Sequence, residues 1–546
     1  MNANAENPAT AVSVGVPNRR PLDVRVTGGL VRGVREGGIF AWRGIPYAAP
    51  PVGELRFRAP RPVVPWHDVR DASRYGKVAP QIYRGQFKGT PPKVPSGEDC
   101  LSVNVLAAAI SGAKRIGKKP VMVFIHGGGY SVGSSQDFSG QGTGLVSSGR
   151  VVYVSFNYRL GALGYLDFSR YSTSERPIES NLGLRDQVAA LEWVRDNIRS
   201  FGGDPGNVTL FGESAGGNAV TTLMATPAAA GLFARAIAQS PPPNAVYSRE
   251  LSARWAEEFV GLLRAGGASR GLTPAAARGA AQPALPALSA FPATEADLLV
   301  HAEVGRLNAT ALDLQMRVPD EYPGTFCLAP VVDGEFLPER PVDAFRSGRA
   351  HRVPLILGTN DREGSAFRGR VEILPSSVPR IEALFDQAPE SSRVGMHEAY
   401  PGLPLPRPAA DFAGDSAFWF PSVKVADFHS RYAPVHLYRF DLAPRLMRVL
   451  GFDATHGIEM LALFDRSNTS AGRTMTALGG RTPFMRAGER MRAHWLQFVS
   501  GGAVEATWPS YSEANRLTLV INDTDRVESD PRGERRRAWE AFLPEF

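Results

Sequence analysis

The run Phe201-Gly-Gly-Asp-Pro-Gly-Asn-Val-Thr-Leu-Phe-Gly-Glu-Ser-Ala-Gly216 ends in a serine held between glycines, Gly212-Glu213-Ser214-Ala215-Gly216. It follows the short apolar stretch Val208–Phe211 and precedes helix-compatible sequence. A serine that attacks a carbonyl carbon has to stand clear of its own backbone. A sharp strand-to-helix turn achieves this. Glycines two before and two after the serine remove the Cβ atoms that would collide there. The positive end of the following helix then lies near the hydroxyl. Such a serine needs a base, a group that orients the base, and donors for the charge that develops on the carbonyl oxygen.

Donors are supplied upstream. The apolar run Val121–Ile125 ends in His126-Gly127-Gly128-Gly129-Tyr130, and consecutive glycines let backbone N–H groups turn toward a ligand. Two of these amides with that of Ala215 would make a three-donor pocket. Taken alone, the glycine run reads equally as a flexible turn; the serine downstream gives it a purpose.

The orienting acid is expected after the serine, in a loop that follows a strand. Leu355-Ile-Leu-Gly-Thr-Asn-Asp-Arg-Glu-Gly364 offers two, Asp361 and Glu363, and residue chemistry leaves both open. Nine histidines compete for the base. His436 lies in an apolar strand pattern and His494 in a helical one. His67, His301, His351, His397 and His429 lack a glycine-rich loop. His456 stands in Gly451-Phe-Asp-Ala-Thr-His-Gly457, a loop after the strand pattern Val435–Phe440. The order serine, acid, histidine used by α/β-hydrolases selects it.

The elements that must position these groups are buried strands alternating with helices. The apolar runs Val121–Ile125, Val151–Phe156, Val208–Phe211, Leu355–Leu357 and Val435–Phe440 read as strands, with Leu517–Ile521 as a last edge strand. In 184–199, Leu184, Val188, Leu191, Val194 and Ile198 follow the helical period. This alternation predicts an α/β fold with a mostly parallel, twisted sheet. The Ala- and Leu-rich stretch from about 265 to 325, broken by prolines, reads as helices outside the sheet, as does 365–430; both are candidate pocket walls. With no clear linker, residues 25–546 form one expected catalytic domain behind a disordered tail, residues 1–24.

Composition excludes several classes. The chain has 546 residues, 61 basic and 54 acidic, for a net charge of +7. Arginines are spread along it without a basic block or an aromatic-interleaved stripe, which argues against nucleic-acid binding. No run of 18 apolar residues suggests a membrane span. The amino-terminal segment lacks the apolar core of a secretion signal, and only two cysteines occur, Cys100 and Cys327. A cytoplasmic, reducing setting is expected. The four Asn-x-Ser/Thr triplets, at Asn207, Asn308, Asn468 and Asn522, then carry no glycan. No His/Cys/Asp cluster has metal-ligand spacing, and no cofactor is expected.

Longer motifs carry a resemblance. Gly44-Ile-Pro-Tyr-Ala-Ala-Pro-Pro-Val-Gly-Glu-Leu-Arg-Phe57 with Pro65-Trp66, then Glu98-Asp-Cys-Leu-Ser-Val-Asn-Val105, Asn157-Tyr-Arg-Leu-Gly161 and the serine run resemble a type B carboxylesterase of the cholinesterase-like α/β-hydrolase superfamily. The likeness spans roughly residues 25 to 525. It implies a carboxylic ester hydrolase that works through an acyl-enzyme, with a small-molecule ester as partner; the choice between monomer and dimer stays open. The family's acid directly precedes a glycine, which selects Glu363, and its histidine precedes Gly-x-Glu, matching His456-Gly457-Ile458-Glu459. Its oxyanion donors correspond to Gly128, Gly129 and Ala215. Ser240 matches a serine that supports the acid, and Glu213 flanks the nucleophile. Ion pairs Arg56–Glu98 and Arg159–Asp186 are implied. The same machinery serves two rival readings: an amidase, carbamate or specialised natural-product ester hydrolase, and a non-catalytic interaction protein, against which the complete triad argues.

Three positions depart from the family. Ala79 stands before Pro80-Gln81, where many relatives carry a cysteine that pairs with the one at Cys100; free thiols and an unstapled 79–100 loop at the site entrance are the consequence. That loop holds Tyr83 and Phe87 but no tryptophan, so choline specificity is not expected. Pro241-Pro-Pro243 follows Ser240 where glycine is usual. The cluster Phe418-Trp419-Phe420 fits either an acyl-pocket lining or ordinary helix core.

Overall fold

The computed structural model of the protein describes residues 22–84, 87–88, 90–91, 93–109, 118–137, 141–266, 294–369 and 371–546. Its centre is an eleven-stranded sheet. In chain order the strands are β1 (Val34–Glu36), β2 (Ile39–Pro46), β3 (Ser102–Ala108), β4 (Lys119–Ile125), β5 (Val152–Phe156), β6 (Gly203–Glu213), β7 (Arg235–Gln239), β8 (Leu355–Asn360), β9 (Val435–Phe440), β10 (Leu517–Ile521) and β11 (Arg526–Ser529). Across the sheet they run β11-β10-β9-β8-β7-β6-β4-β5-β3-β2-β1. From β10 to β5 every neighbouring pair is parallel. The outer strands β1, β2, β3 and β11 join by antiparallel pairing.

The parallel strands read as unbroken apolar runs because both faces are covered. Along β4, Val121, Val123 and Ile125 enter one core cluster, while Met122 and Phe124 enter the other. The first cluster is closed by the helices α1 (Leu182–Asn197) and α2 (Ala215–Met224). The second is closed by α6 (Ile458–Leu463) and α7 (Arg481–Gly501). Each fully buried Val, Leu, Ile or Phe contributes about 1.5–3 kcal/mol. The α1 pattern read from sequence is observed, its last turn tightening to a 3₁₀ turn, Ile198–Phe201.

Four features differ from the sequence expectation. Leu517–Ile521 is not the edge, because β11 pairs outside it. β11 is Arg-Val-Glu-Ser and largely exposed, so it carries no apolar pattern. The antiparallel strands β1, β2 and β3 extend the other side of the sheet. Residues before 25 also take part in the fold: Asp23–Val26 is a strand, and the Leu22 carbonyl accepts hydrogen bonds from the Gly33 amide and the Trp42 indole. Residues 1–21 of the expected tail lie outside the described residues.

Of the two helical stretches, 267–293 falls outside the described residues. The chain beyond it is helical, Glu295–His301 and then α3 (Val304–Glu321). Within 365–430, α4 (Pro406–Gly414) runs through a π-helical turn, Asp415–Trp419, into α5 (Phe420–His429). No helix among the described residues is long and apolar enough to cross a membrane.

Candidate active site

Five adjacent parallel strands deliver the candidate residues from their carboxyl ends, where open α/β sheets place ligands. β4 runs into Gly127–Gly129, β6 into Ser214, β7 into Ser240, β8 into Glu363 and β9 into the loop that ends at His456.

Ser214 occupies the strained backbone region expected of a sharp turn, with φ 59° and ψ −125°. Two glycines permit it. A Cβ on Gly216 would overlap the Ile125 carbonyl oxygen, and one on Gly212 would lie 2.5 Å from the Gly216 carbonyl oxygen. The turn is tied down by the Ser214 amide, which donates to the Gln239 carbonyl at 2.9 Å.

The two acids left open by residue chemistry face opposite ways. Glu363 turns inward and is 1 % exposed. Its Oε2 accepts from Nδ1 of His456 at 2.5 Å. Its Oε1 accepts from the Ser240 hydroxyl at 2.7 Å and from the Asn360 amide at 2.5 Å. Asp361 turns outward to the Arg532 guanidinium at 2.7 Å. Arg532 also donates to Asp415 at 3.0 Å. The other histidines are elsewhere: His436 is in β9 and His494 in α7. His126 stacks on Tyr158, and burial lowers its pKa to about 4.

The second ring nitrogen of His456, Nε2, is buried and makes no hydrogen bond among the described residues. It lies 3.3 Å from Oε1 of Glu213, the residue that precedes Ser214. Burial alone would lower the imidazole pKa; the carboxylates of Glu213 and Glu363 outweigh it and raise it to about 9. Burial raises Glu213 to about 7 and Glu459 to about 8. Two carboxyl groups thus contact one imidazole and a third, Glu459, acts on it at longer range, so a proton is held there more tightly than in water.

The amides of Gly128, Gly129 and Ala215 donate to no group among the described residues. Gly128 has φ +107°, and a Cβ there would overlap the Val132 carbonyl oxygen. Only glycine lets this turn form.

Structure adds Asn360 and Phe367, which sequence did not single out. Asn360 ties three of the named groups together. Besides its amide bond to Glu363, its side chain donates to Ser240 at 3.2 Å and to Glu459 at 2.7 Å. The signal was its place at the end of an apolar strand, just before the acid. Phe418 and Phe367 lie 4.4 and 5.2 Å from the His456 ring, centroid to centroid. Of the Phe418-Trp419-Phe420 cluster, only Phe418 faces the site. Trp419 and Phe420 pack with Trp539 in a separate core, because the wide π turn redirects successive side chains.

The implied ion pairs form. Arg56 and Glu98 meet at 2.6 Å, and the fully buried Arg159 and Asp186 at 2.7 Å. Cys100 and Cys327 are free and buried. The side chains of Tyr83 and Phe87 lie outside the described residues. The Pro241–Pro243 run has a structural explanation. The Pro242 carbonyl accepts from the Asn218 side chain at 2.8 Å, and Pro241 sits against Gly217, so the prolines clamp the first turn of α2 behind Ser214.

Known proteins resemble this chain over nearly its whole length. The profile of the Carboxylesterase family matches residues 20–378. The para-nitrobenzyl esterase of Bacillus subtilis (strain 168) is 35% identical over 527 residues, covering 93% of this chain and 96% of its own. The fumonisin B1 esterase of Sphingopyxis macrogoltabida is 32% identical over 525 residues, covering 93% and 88%. A crystal structure of a Geobacillus stearothermophilus carboxylesterase superposes with a TM-score of 0.76 at 30% identity, over 95% of this chain and 100% of that one. With a family profile over residues 20–378 and relatives of this identity across nearly all of its length, the chain belongs to the carboxylesterase family and is a carboxylic ester hydrolase of the α/β-hydrolase fold.

Proposed function

We propose that Ser214, His456 and Glu363 act as nucleophile, base and orienting acid, with Gly128, Gly129 and Ala215 as the oxyanion donors. The observation that carries this reading is the 2.5 Å Glu363–His456 bond, which leaves Nε2, 3.3 Å from Glu213 Oε1 at the end of β6, without a hydrogen bond among the described residues. In its neutral form, His456 accepts the Ser214 proton at Nε2 as Oγ attacks the ester carbonyl. Glu363, with Ser240 and Asn360 holding its other oxygen, fixes the ring tautomer and stabilises the imidazolium. The three free amides receive the charge on the carbonyl oxygen; each such donor is worth about 10²–10³ in rate. The imidazolium then protonates the leaving alkoxide, the acyl group remains on Oγ, and water attacks it with His456 again as base.

This chemistry sits in a single catalytic domain whose α3 and α4–α5 segments wall the site. The free thiols of Cys100 and Cys327 support a reducing, cytoplasmic setting. The relative named fumonisin B1 esterase supports a second reading, in which a specialised natural-product ester is the physiological substrate.

The test is Ser214→Ala. Hydrolysis of p-nitrophenyl esters should be abolished, and a labelled organophosphate should modify wild-type protein at Ser214 alone. Near-wild-type turnover in the variant would remove the assignment.

A further inference from the structure

Glu363 and His456 are anchored in different ways. Glu363 is fixed from the sheet, by the Ser240 hydroxyl and the Asn360 amide. His456 comes at the end of a long loop that leaves β9 at Phe440. The five residues of that loop just before the histidine, Gly451 to Thr455, are each held by one of two residues beside the acid. Arg362, immediately before Glu363, holds three. Its amide donates to the Ala454 carbonyl at 2.9 Å. Its Nη1 donates to the Gly451 carbonyl at 2.8 Å and to the Asp453 carboxylate at 3.1 Å. Ser365, two after Glu363, holds the other two. Its hydroxyl lies 2.7 Å from the Phe452 carbonyl and 2.8 Å from the Thr455 hydroxyl. The Arg362 carbonyl is also 2.8 Å away. The Thr455 hydroxyl can donate to Ser365, whose own proton is shared between the two carbonyls.

The guanidinium is itself set from a third element. Its Nε donates to Asp411 of α4 at 2.8 Å, and the side chain is 7% exposed. A rigid fork with acceptors on two sides has one orientation. A buried ion pair adds little net stability against an apolar replacement, so stability alone does not account for it. Asp453 is also held in a left-handed conformation, φ 52°, of the kind that persists where its surroundings over-determine it. Resting on the proposed catalytic roles, we propose that Arg362 and Ser365 are positioning residues: they fasten Gly451–Thr455 to the acid's own loop, so that base and acid form one unit and Nδ1 of His456 stays aligned with Glu363. Proton transfer needs that alignment, since a misplacement of about 1 Å costs about 10²-fold in rate.

The test is steady-state kinetics on p-nitrophenyl butyrate for Ser365→Ala and Arg362→Met, each made in wild-type protein and in Glu363→Gln. Ser365→Ala leaves no charge unpaired, so it carries the test if Arg362→Met, which strips Asp411 of its 2.8 Å partner, fails to fold. In wild-type protein kcat should fall about 10-fold for Ser365→Ala and about 10²-fold for Arg362→Met, with KM within about twofold. In Glu363→Gln the same substitutions should cost less than about twofold more, because the contact they align is already gone. A side chain that only stabilised the fold would act equally in both backgrounds, so equal losses would overturn the proposal. So would a kcat for Ser365→Ala within about twofold of wild type. Arg407→Met removes the exposed partner of Asp453 and should keep kcat within about twofold. A loss there as large as in Arg362→Met would put control of the loop outside the acid segment and overturn the proposal. Full activity in Glu363→Gln alone would remove the acid assignment itself, a separate failure.

Discussion

Asp361 and Glu363, two residues apart in one loop, point in opposite directions: Glu363 meets His456 at 2.5 Å, and Asp361 meets Arg532 at 2.7 Å. The direction is set from outside the loop. Arg532 also donates to the Asp361 carbonyl, and Arg439 stands 3.8 Å from the Asp361 carboxylate. Glu363→Gln should therefore lower kcat by about 10³–10⁴, the scale seen when an orienting carboxylate becomes an amide and the wrong tautomer is held. Asp361→Asn should cost less than about tenfold. Steady-state kinetics on p-nitrophenyl butyrate measures both; a larger loss in Asp361→Asn would reverse the assignment.

The acid limb of activity should lie above the ordinary histidine value. His456 is raised to about 9 because Glu213 and Glu363 outweigh burial, so its proton-accepting form grows as pH rises from 6.5 toward 9. Removing the Glu213 charge, 3.3 Å from Nε2, removes part of that attraction. In Glu213→Gln the midpoint of the kcat/KM profile should move to lower pH by about one unit. An unmoved midpoint would show that Glu213 does not act on the base.

Stability should fall toward alkaline pH for the same electrostatic reason. Below pH 6.5 the imidazole is cationic in both folded and unfolded chains, and its ion pairing contributes in full. That contribution is lost as pH rises through about 9. Glu459 adds a cost of the same sign, because its carboxyl is buried and its pKa is raised to about 8, while the unfolded chain releases that proton near 4.5. Glu459→Gln should shrink the drop in melting temperature between pH 5 and pH 9. Calorimetry at the two values gives the answer; an undiminished drop would place the alkaline sensitivity elsewhere.

Asp186→Asn should destabilise the fold without touching the site. It would leave the Arg159 guanidinium buried opposite a neutral amide, where the side chains of the pair are now 3% and 0% exposed. Breaking one partner of such a pair costs about 3–5 kcal/mol. Denaturant unfolding measures it, and a loss below about 1 kcal/mol would mean that water reaches the pair.

What could be read from the sequence was local. The serine turn, the glycine run and His456 each carry their reason within a few residues, and the parallel strands announce themselves as apolar runs. Residue chemistry alone left Asp361 and Glu363 level, and only the family resemblance chose Glu363; the physical reason, Arg532 holding Asp361 outward, lies 171 positions away. β11 escaped notice because an exposed Arg-Val-Glu-Ser strand has nothing to alternate. Phe418, Trp419 and Phe420 look alike in sequence; a π turn sends one to the imidazole and two to the core around Trp539. Gln315 and Ser131 meet across 184 positions, a pairing that only the packing of α3 against the glycine turn creates.

Phe418 over His456 and Gln315 beside Gly129 arrive on different stretches of chain, 406–429 and 304–321, neither of which holds a strand of the sheet. Grafting either stretch from a homologous enzyme would reshape one side of the site, while the hydroxyl, imidazole and carboxylate stay where the sheet puts them.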